Sequence, residues 1–137
     1  MNKKFIVQED KGIVIAIKDE FDSVFEEIAK KCSTKTFAIL AEIISLSMTW
    51  KKLPELEIET QFKGISKCDE YDTFDIKKGK DIASCKADMK YHKAMTKKYK
   101  LILDILGKTL YEIQELYNLH NDKTKNIEKD IQRHYYQ

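Results

Sequence analysis

The stretch Phe62-Lys63-Gly64-Ile65-Ser66-Lys67-Cys68-Asp69-Glu70-Tyr71-Asp72-Thr73-Phe74-Asp75-Ile76-Lys77-Lys78-Gly79-Lys80-Asp81-Ile82-Ala83 decides how this chain folds. Its first part is extended and ends in a small residue and a cysteine. An acidic loop follows, then Phe74-Asp75, then a glycine, Gly79, that opens a very long helix. The reading is a strand-to-helix corner with more specific residues than a turn requires.

Upstream of the corner, Leu56, Ile58, Thr60 and Phe62 alternate with Glu57, Glu59, Gln61 and Lys63. Period-two alternation is the mark of a strand with one wet face. At the N-terminus, Phe5-Ile6-Val7 and Ile13-Val14-Ile15-Ala16-Ile17 flank a polar segment ending in Gly12, which reads as a β-hairpin. Phe21, Val24, Phe25 and Ile28 recur at helical spacing, with Asp19 or Asp22 as the expected cap. The run 32–35 breaks that helix, and Ser33 or Thr34 caps a second one carrying Phe37, Ile39, Leu40, Ile43, Ile44, Leu46 and Met48. This second helix is apolar almost all round, so it is expected to be buried or at a subunit contact. It is expected to end near Trp50–Leu53, because Pro54 cannot continue it.

Downstream, residues 75–120 hold no proline and only Gly79 and Gly107. Apolar residues from Ile82 through Met95, Ile102, Leu106, Leu110 and Ile113 to Leu116 recur every three or four positions, which predicts a long amphipathic helix with a kink at Gly107. Thr124 is expected to cap a separate last helix over 126–136. The fold class is therefore α+β: a small antiparallel N-terminal sheet with long C-terminal helices that mediate oligomerisation. The chain reads as a single domain, 1–137, with the sheet and inserted helices 20–52 in residues 1–68 and the long helices in 75–137.

Composition narrows the function. The chain has 137 residues, 42% hydrophobic and 35% charged, and a formal charge of only +2. Near-neutral charge argues against a general nucleic-acid binder. All basic residues except Arg133 are lysines, so any phosphate contact falls to lysines and backbone amides rather than guanidinium forks. Cys32, Cys68 and Cys85 form no CxxC pair, and an odd count fits reduced thiols in a cytoplasmic location. Cys68, His92 and His120 match no zinc spacing, and no metal or other cofactor is expected. No secretory signal or membrane span is read in the sequence, and a membrane partner is not expected.

Two constellations can carry chemistry. At the corner, Asp72 or Thr73 can simply cap the helix. The sharper reading uses the free amides of a helix start beside a strand end, with Lys67, Lys77, Lys78 and Lys80 around it, Asp75 nearby, and Gly79 leaving room for a ligand. Phe74 either staples the loop to the core or lies flat against a base. Along the helix, Lys86, Lys90, Lys93, Lys97 and Lys100 form a basic stripe, diluted by Asp81 and Asp88. A solvated face is the ordinary explanation; a phosphate-lined groove is the other. Trp50 is a further aromatic with stacking potential. No P-loop, GxSxG or HExxH motif occurs, so catalysis is not expected.

The pattern Gly64, Ser66, Lys67, Cys68, Asp72, Phe74, Asp75, Gly79 and Ala83 resembles one in many small phage and prophage proteins. Among these the chain is similar to the anti-Thoeris sponge family, whose members sequester cyclic ADP-ribose-type signals made by bacterial immune enzymes. The resemblance covers about a fifth of the chain. It implies an α+β protein with an N-terminal sheet, assembled through its C-terminal helices. Residues 20–54 look like an insertion relative to the short phage forms, and Lys86 stands where those forms often carry Arg.

The expectation is thus a non-catalytic homo-oligomer, dimer or higher, that holds a small cyclic nucleotide. Lys67, Lys78, Lys86 and Lys90 would face phosphates, Phe74 or Trp50 would stack on the base, and Asp72 or Asp75 would accept ribose or base protons beside Gly79. The alternative is a phage nucleic-acid-binding or CRISPR-inhibiting protein. A third reading is an enzyme that cleaves the signal through His92 or Cys68.

Overall fold

The computed structural model describes residues 3–19, 21–47 and 56–136. The chain divides into two compact units, Met1–Leu101 and Ile102–Gln137.

The first unit is built on a three-stranded antiparallel sheet of β1 (Lys3–Gln8), β2 (Ile13–Lys18) and β3 (Phe62–Lys67), with β2 in the centre. The expected hairpin is present. A short turn, Glu9–Lys11, joins β1 to β2 and closes at Gly12, whose φ of 63° lies in the left-handed region that suits glycine. Phe62 is opposite Lys18, Gly64 opposite Ala16 and Ser66 opposite Val14, so these pairs share the inward face. The strand before the corner starts later than the alternation suggests. Residues 57–61 lie outside the ladder, and pairing begins at Phe62, opposite the end of β2.

Helix α1 (Val24–Lys31) is capped by Ser23, whose hydroxyl accepts from the Glu26 amide at 3.3 Å. The expected caps Asp19 and Asp22 are engaged elsewhere: Asp22 pairs with Lys30 at 2.5 Å and Asp19 with Lys4 at 3.9 Å. Helix α2 (Thr34–Ser47) starts as expected at Ser33, which accepts from the Thr36 amide. It is not buried within the chain. Of the apolar side chains described there only Ile44 is buried, while Ile39 and Leu46 are exposed. The expected stop near Trp50, with Met48, Leu53 and Pro54, lies outside the described residues.

Helix α3 runs from Ile76 to Tyr135. The expected kink at Gly107 does not break it. Thr124 caps no separate helix: its hydroxyl donates back to the His120 carbonyl at 2.9 Å, an ordinary bond inside a continuing helix.

Residues 76–101 of α3 lie on the inward face of the sheet, and small residues set how closely they lie. A Cβ on Gly64 would stand 1.9 Å from the Ala83 carbonyl oxygen and 2.5 Å from the Ala87 nitrogen. Val14, Ala16, Ala83 and Ala87 form the buried cluster at this seam, flanked by Val7 and Phe74. At the other end Phe21, Phe62 and Tyr91 pack with ring centroids 5.2 to 5.7 Å apart. The Tyr91 hydroxyl donates to the Asp22 carbonyl and the Tyr99 hydroxyl to Glu27, tying α1 to α3.

A charged network joins the same two layers. Lys18 is fully buried, although it is the last residue of a strand. Its ammonium pairs with Asp88 at 3.2 Å and sits 4.4 Å from the centre of the Tyr91 ring. Lys3 reaches the other Asp88 oxygen at 2.7 Å and also donates to Ser84. Burial pushes the Asp88 carboxyl up, but the hydrogen bonds and charges of Lys3 and Lys18 outweigh it, and the group lies below its ordinary value. Asp88 therefore does not dilute an exposed lysine stripe; it faces the sheet. Among the described residues no buried side-chain polar atom lacks a partner.

Candidate functional site

The corner is held by backbone bonds on both sides. The Cys68 amide donates to the Gly12 carbonyl at 2.8 Å, fixing the end of β3 to the hairpin turn. The Asp72 amide donates to the Asp69 carbonyl at 3.1 Å and closes the acidic loop. The Cys68 thiol donates to the carbonyls of Asp69 and Asp72, each at 3.4 Å. The loop then reaches α3, whose cap is Asp75 rather than Asp72 or Thr73. The Asp75 carboxylate accepts from the Lys78 amide at 3.2 Å, and its carbonyl accepts from the Gly79 amide. One of the amides expected to meet a ligand is therefore already satisfied within the chain.

A cleft of about 300 Å³ opens here. Lys67, Asp72, Phe74, Asp75, Lys78 and Gly79 all line it, so the structure brings together most of the residues named from sequence. Phe74 is half-buried and packs against the core seam, forming one wall of the cleft. Gly79 is small for a packing reason. A Cβ there would lie 2.7 Å from the Val14 side chain, so its missing side chain leaves room for β2. Asp69, Asp72 and Asp75 line the cleft together with Lys67 and Lys78, a set of groups suited to a ligand with both anionic and hydrogen-donating groups.

Two of the expected residues lie elsewhere. Lys86 donates to the Ile65 carbonyl at 2.9 Å and is tied to the sheet edge. Lys90 lines a separate groove of about 740 Å³, together with Phe62, Met89, Lys93 and Lys97. Trp50 lies outside the described residues. No group of histidine, cysteine and carboxylate side chains among the described residues has the arrangement of a metal site. His92 lines a different surface from Cys68, so the two do not form a nucleophile–base pair.

The thiols differ in reach. Cys32 and Cys85 are exposed, whereas Cys68 is half-buried and engaged with two carbonyls. In native protein, iodoacetamide should label Cys32 and Cys85 first and Cys68 last, with all three labelled after denaturation. Equal native rates, read by peptide mass spectrometry, would contradict the corner geometry.

No helix among the described residues is long and apolar enough to cross a membrane. Comparison with family models, with curated proteins and with solved structures finds no match.

Proposed function

We propose that the chain is a phage-encoded, non-catalytic binding protein that sequesters a small cyclic nucleotide signal of the cyclic ADP-ribose type and so blocks a host antiphage defence. The observation that carries this reading is the convergence of Lys67, Lys78, Phe74, Asp72 and Asp75 on one cleft. In this reading Lys67 and Lys78 meet a phosphate, Phe74 offers its ring edge or face to the base, and Asp72 accepts from ribose hydroxyls. The Asp75 carboxylate stays with its own helix start, and Gly79 serves packing. A cleft of about 300 Å³ is at the small end for a nucleotide site. It takes one end of the ligand, and a second copy of the chain covers the rest.

Calorimetry with cyclic ADP-ribose tests the reading. Phe74→Leu keeps an apolar side chain on the core seam while removing the ring, so it separates stacking from folding. Stacking is worth about 1–3 kcal/mol, so Phe74→Leu should weaken binding by about one to two orders of magnitude, and Lys78→Glu by a similar factor. Heating the complex should release intact nucleotide. A parent protein that binds no nucleotide, or variants that bind as tightly as the parent, would sink the reading. Recovery of a cleaved product would replace it with the enzyme.

The second reading, a nucleic-acid binder, rests on the groove where Lys90, Lys93, Lys97 and Lys98 stand together on α3. Glu57 and Glu59 line the same groove, which lowers its appeal for a polyanion. Duplex or single-strand binding that falls steeply with salt would favour it.

A further inference from the structure

Within the second unit, Leu103, Leu110, Tyr117, Thr124 and Ile131 stand seven residues apart along one unbroken helix. Leu106, Ile113, His120, Ile127 and His134 do the same, three positions on. That is the a and d spacing of a coiled coil, sustained to the end of the helix. Within the chain this row is uncovered: Leu110 is 68% exposed, Ile113 61% and Ile127 58%. An exposed row of this kind, apolar at all but Thr124, His120 and His134, marks an interface. We infer that copies of this chain associate through residues 103–134 as a parallel, in-register coiled coil of more than two strands.

Orientation follows from the polar layers and the flanking charges. In a parallel, in-register arrangement Thr124 meets Thr124 of the next copy and His120 meets His120, so no polar layer faces an apolar one. Lys123 at g then stands beside Glu128 at e of the neighbouring helix, an opposite-charge pair that repeats around the assembly. The antiparallel register that also keeps polar with polar sets Thr124 against His120. That register places Lys123 against Lys123, and Leu110 against His134. The parallel form is free of both conflicts.

Strand number follows from side-chain shape. Leu110 at a precedes Ile113 at d, and Ile127 at d precedes Ile131 at a. Leucine at a with isoleucine at d, and isoleucine at both, pack better in three or four strands than in two. Leu116, 55% exposed at the g position beside this seam, widens the apolar face in the same sense.

The 137-residue chain in analytical ultracentrifugation should show the mass of a trimer or tetramer at micromolar concentration. Leu110→Glu should raise the concentration needed for assembly by about tenfold or more, because an unpaired carboxylate would be buried in the seam. Position 110 is exposed in the chain itself, so the circular dichroism of the dilute variant should match that of dilute parent. Thr124→Cys should yield a 124–124 disulfide between copies under mild oxidation, identified by peptide mass spectrometry. A parent that sediments as a monomer or dimer overturns the proposal, as does an oligomer of Thr124→Cys that gives no such disulfide.

Discussion

Gly64→Ala should lower the stability of the first unit by about 3 kcal/mol or more, the upper end of what overpacking usually costs. The added methyl group would stand 1.9 Å from the Ala83 oxygen and 2.5 Å from the Ala87 nitrogen. Both are helix backbone, so neither can rotate away as a side chain would. The helix must lift from β3, and the buried contacts of Val14, Ala16, Ala83 and Ala87 open with it. Gly107→Ala is the matched control, because nothing lies within 4 Å of a Cβ there. It should stabilise the helix by up to about 1 kcal/mol, the propensity difference between the two residues. Urea denaturation followed by circular dichroism measures both. An unchanged midpoint for Gly64→Ala would mean that the sheet and α3 do not meet as described.

Asp88→Asn should cost about 3 kcal/mol, because it leaves the Lys18 ammonium buried without its counter-charge. The loss falls at the lower end of the range for broken buried pairs, since Lys18 keeps the Tyr91 ring 4.4 Å away and Asp88 is itself 36% exposed. Lys18→Met should cost far less, since it removes the buried charge and leaves Asp88 with Lys3. The effect of Asp88→Asn has a defined pH dependence. The Asp88 carboxyl titrates below its ordinary value of 3.8 in the folded protein. Its contribution is therefore complete above that ordinary value and is lost as pH falls through the lower folded value. The stability gap between parent and Asp88→Asn should be full at neutral pH and close in strong acid. A gap of the same size at both ends would show that the loss comes from packing and not from the charge.

The hairpin, the central position of the corner and the long helix were legible because each rests on local patterns. Branched residues on either side of Gly12 specify the turn, and the three-to-four spacing from Ile82 to Leu116 specifies the helix. The corner cleft was legible for the same reason. Lys67, Phe74 and Lys78 are close in sequence and need only a strand end and a helix start to meet. The small residues Gly64, Gly79 and Ala83 stood out in the sequence, but their purpose did not, since it depends on which backbone lies opposite.

What sequence determined by itself, then, is what local periodicity and turn chemistry specify: the β1–β2 hairpin, the end of β3 and the stretch of α3 from Ile82 to Leu116, whereas the start of β3 at Phe62 and the continuation of α3 to Tyr135 differ from the local reading. Tertiary structure decided everything that depends on two distant segments meeting. It chose Ser23 over Asp22 as a cap, because Asp22 is drawn to Lys30. It separated Lys86 and Lys90 from the cleft, because at about 1.5 Å of rise per residue they stand two and three turns further along α3 than Lys78. It also turned Lys18 and Asp88, seventy residues apart, into a buried pair. Strand alternation put Lys18 on the inward face with Val14 and Ala16, but only the helix packed above could supply the carboxylate that makes a charge tolerable there.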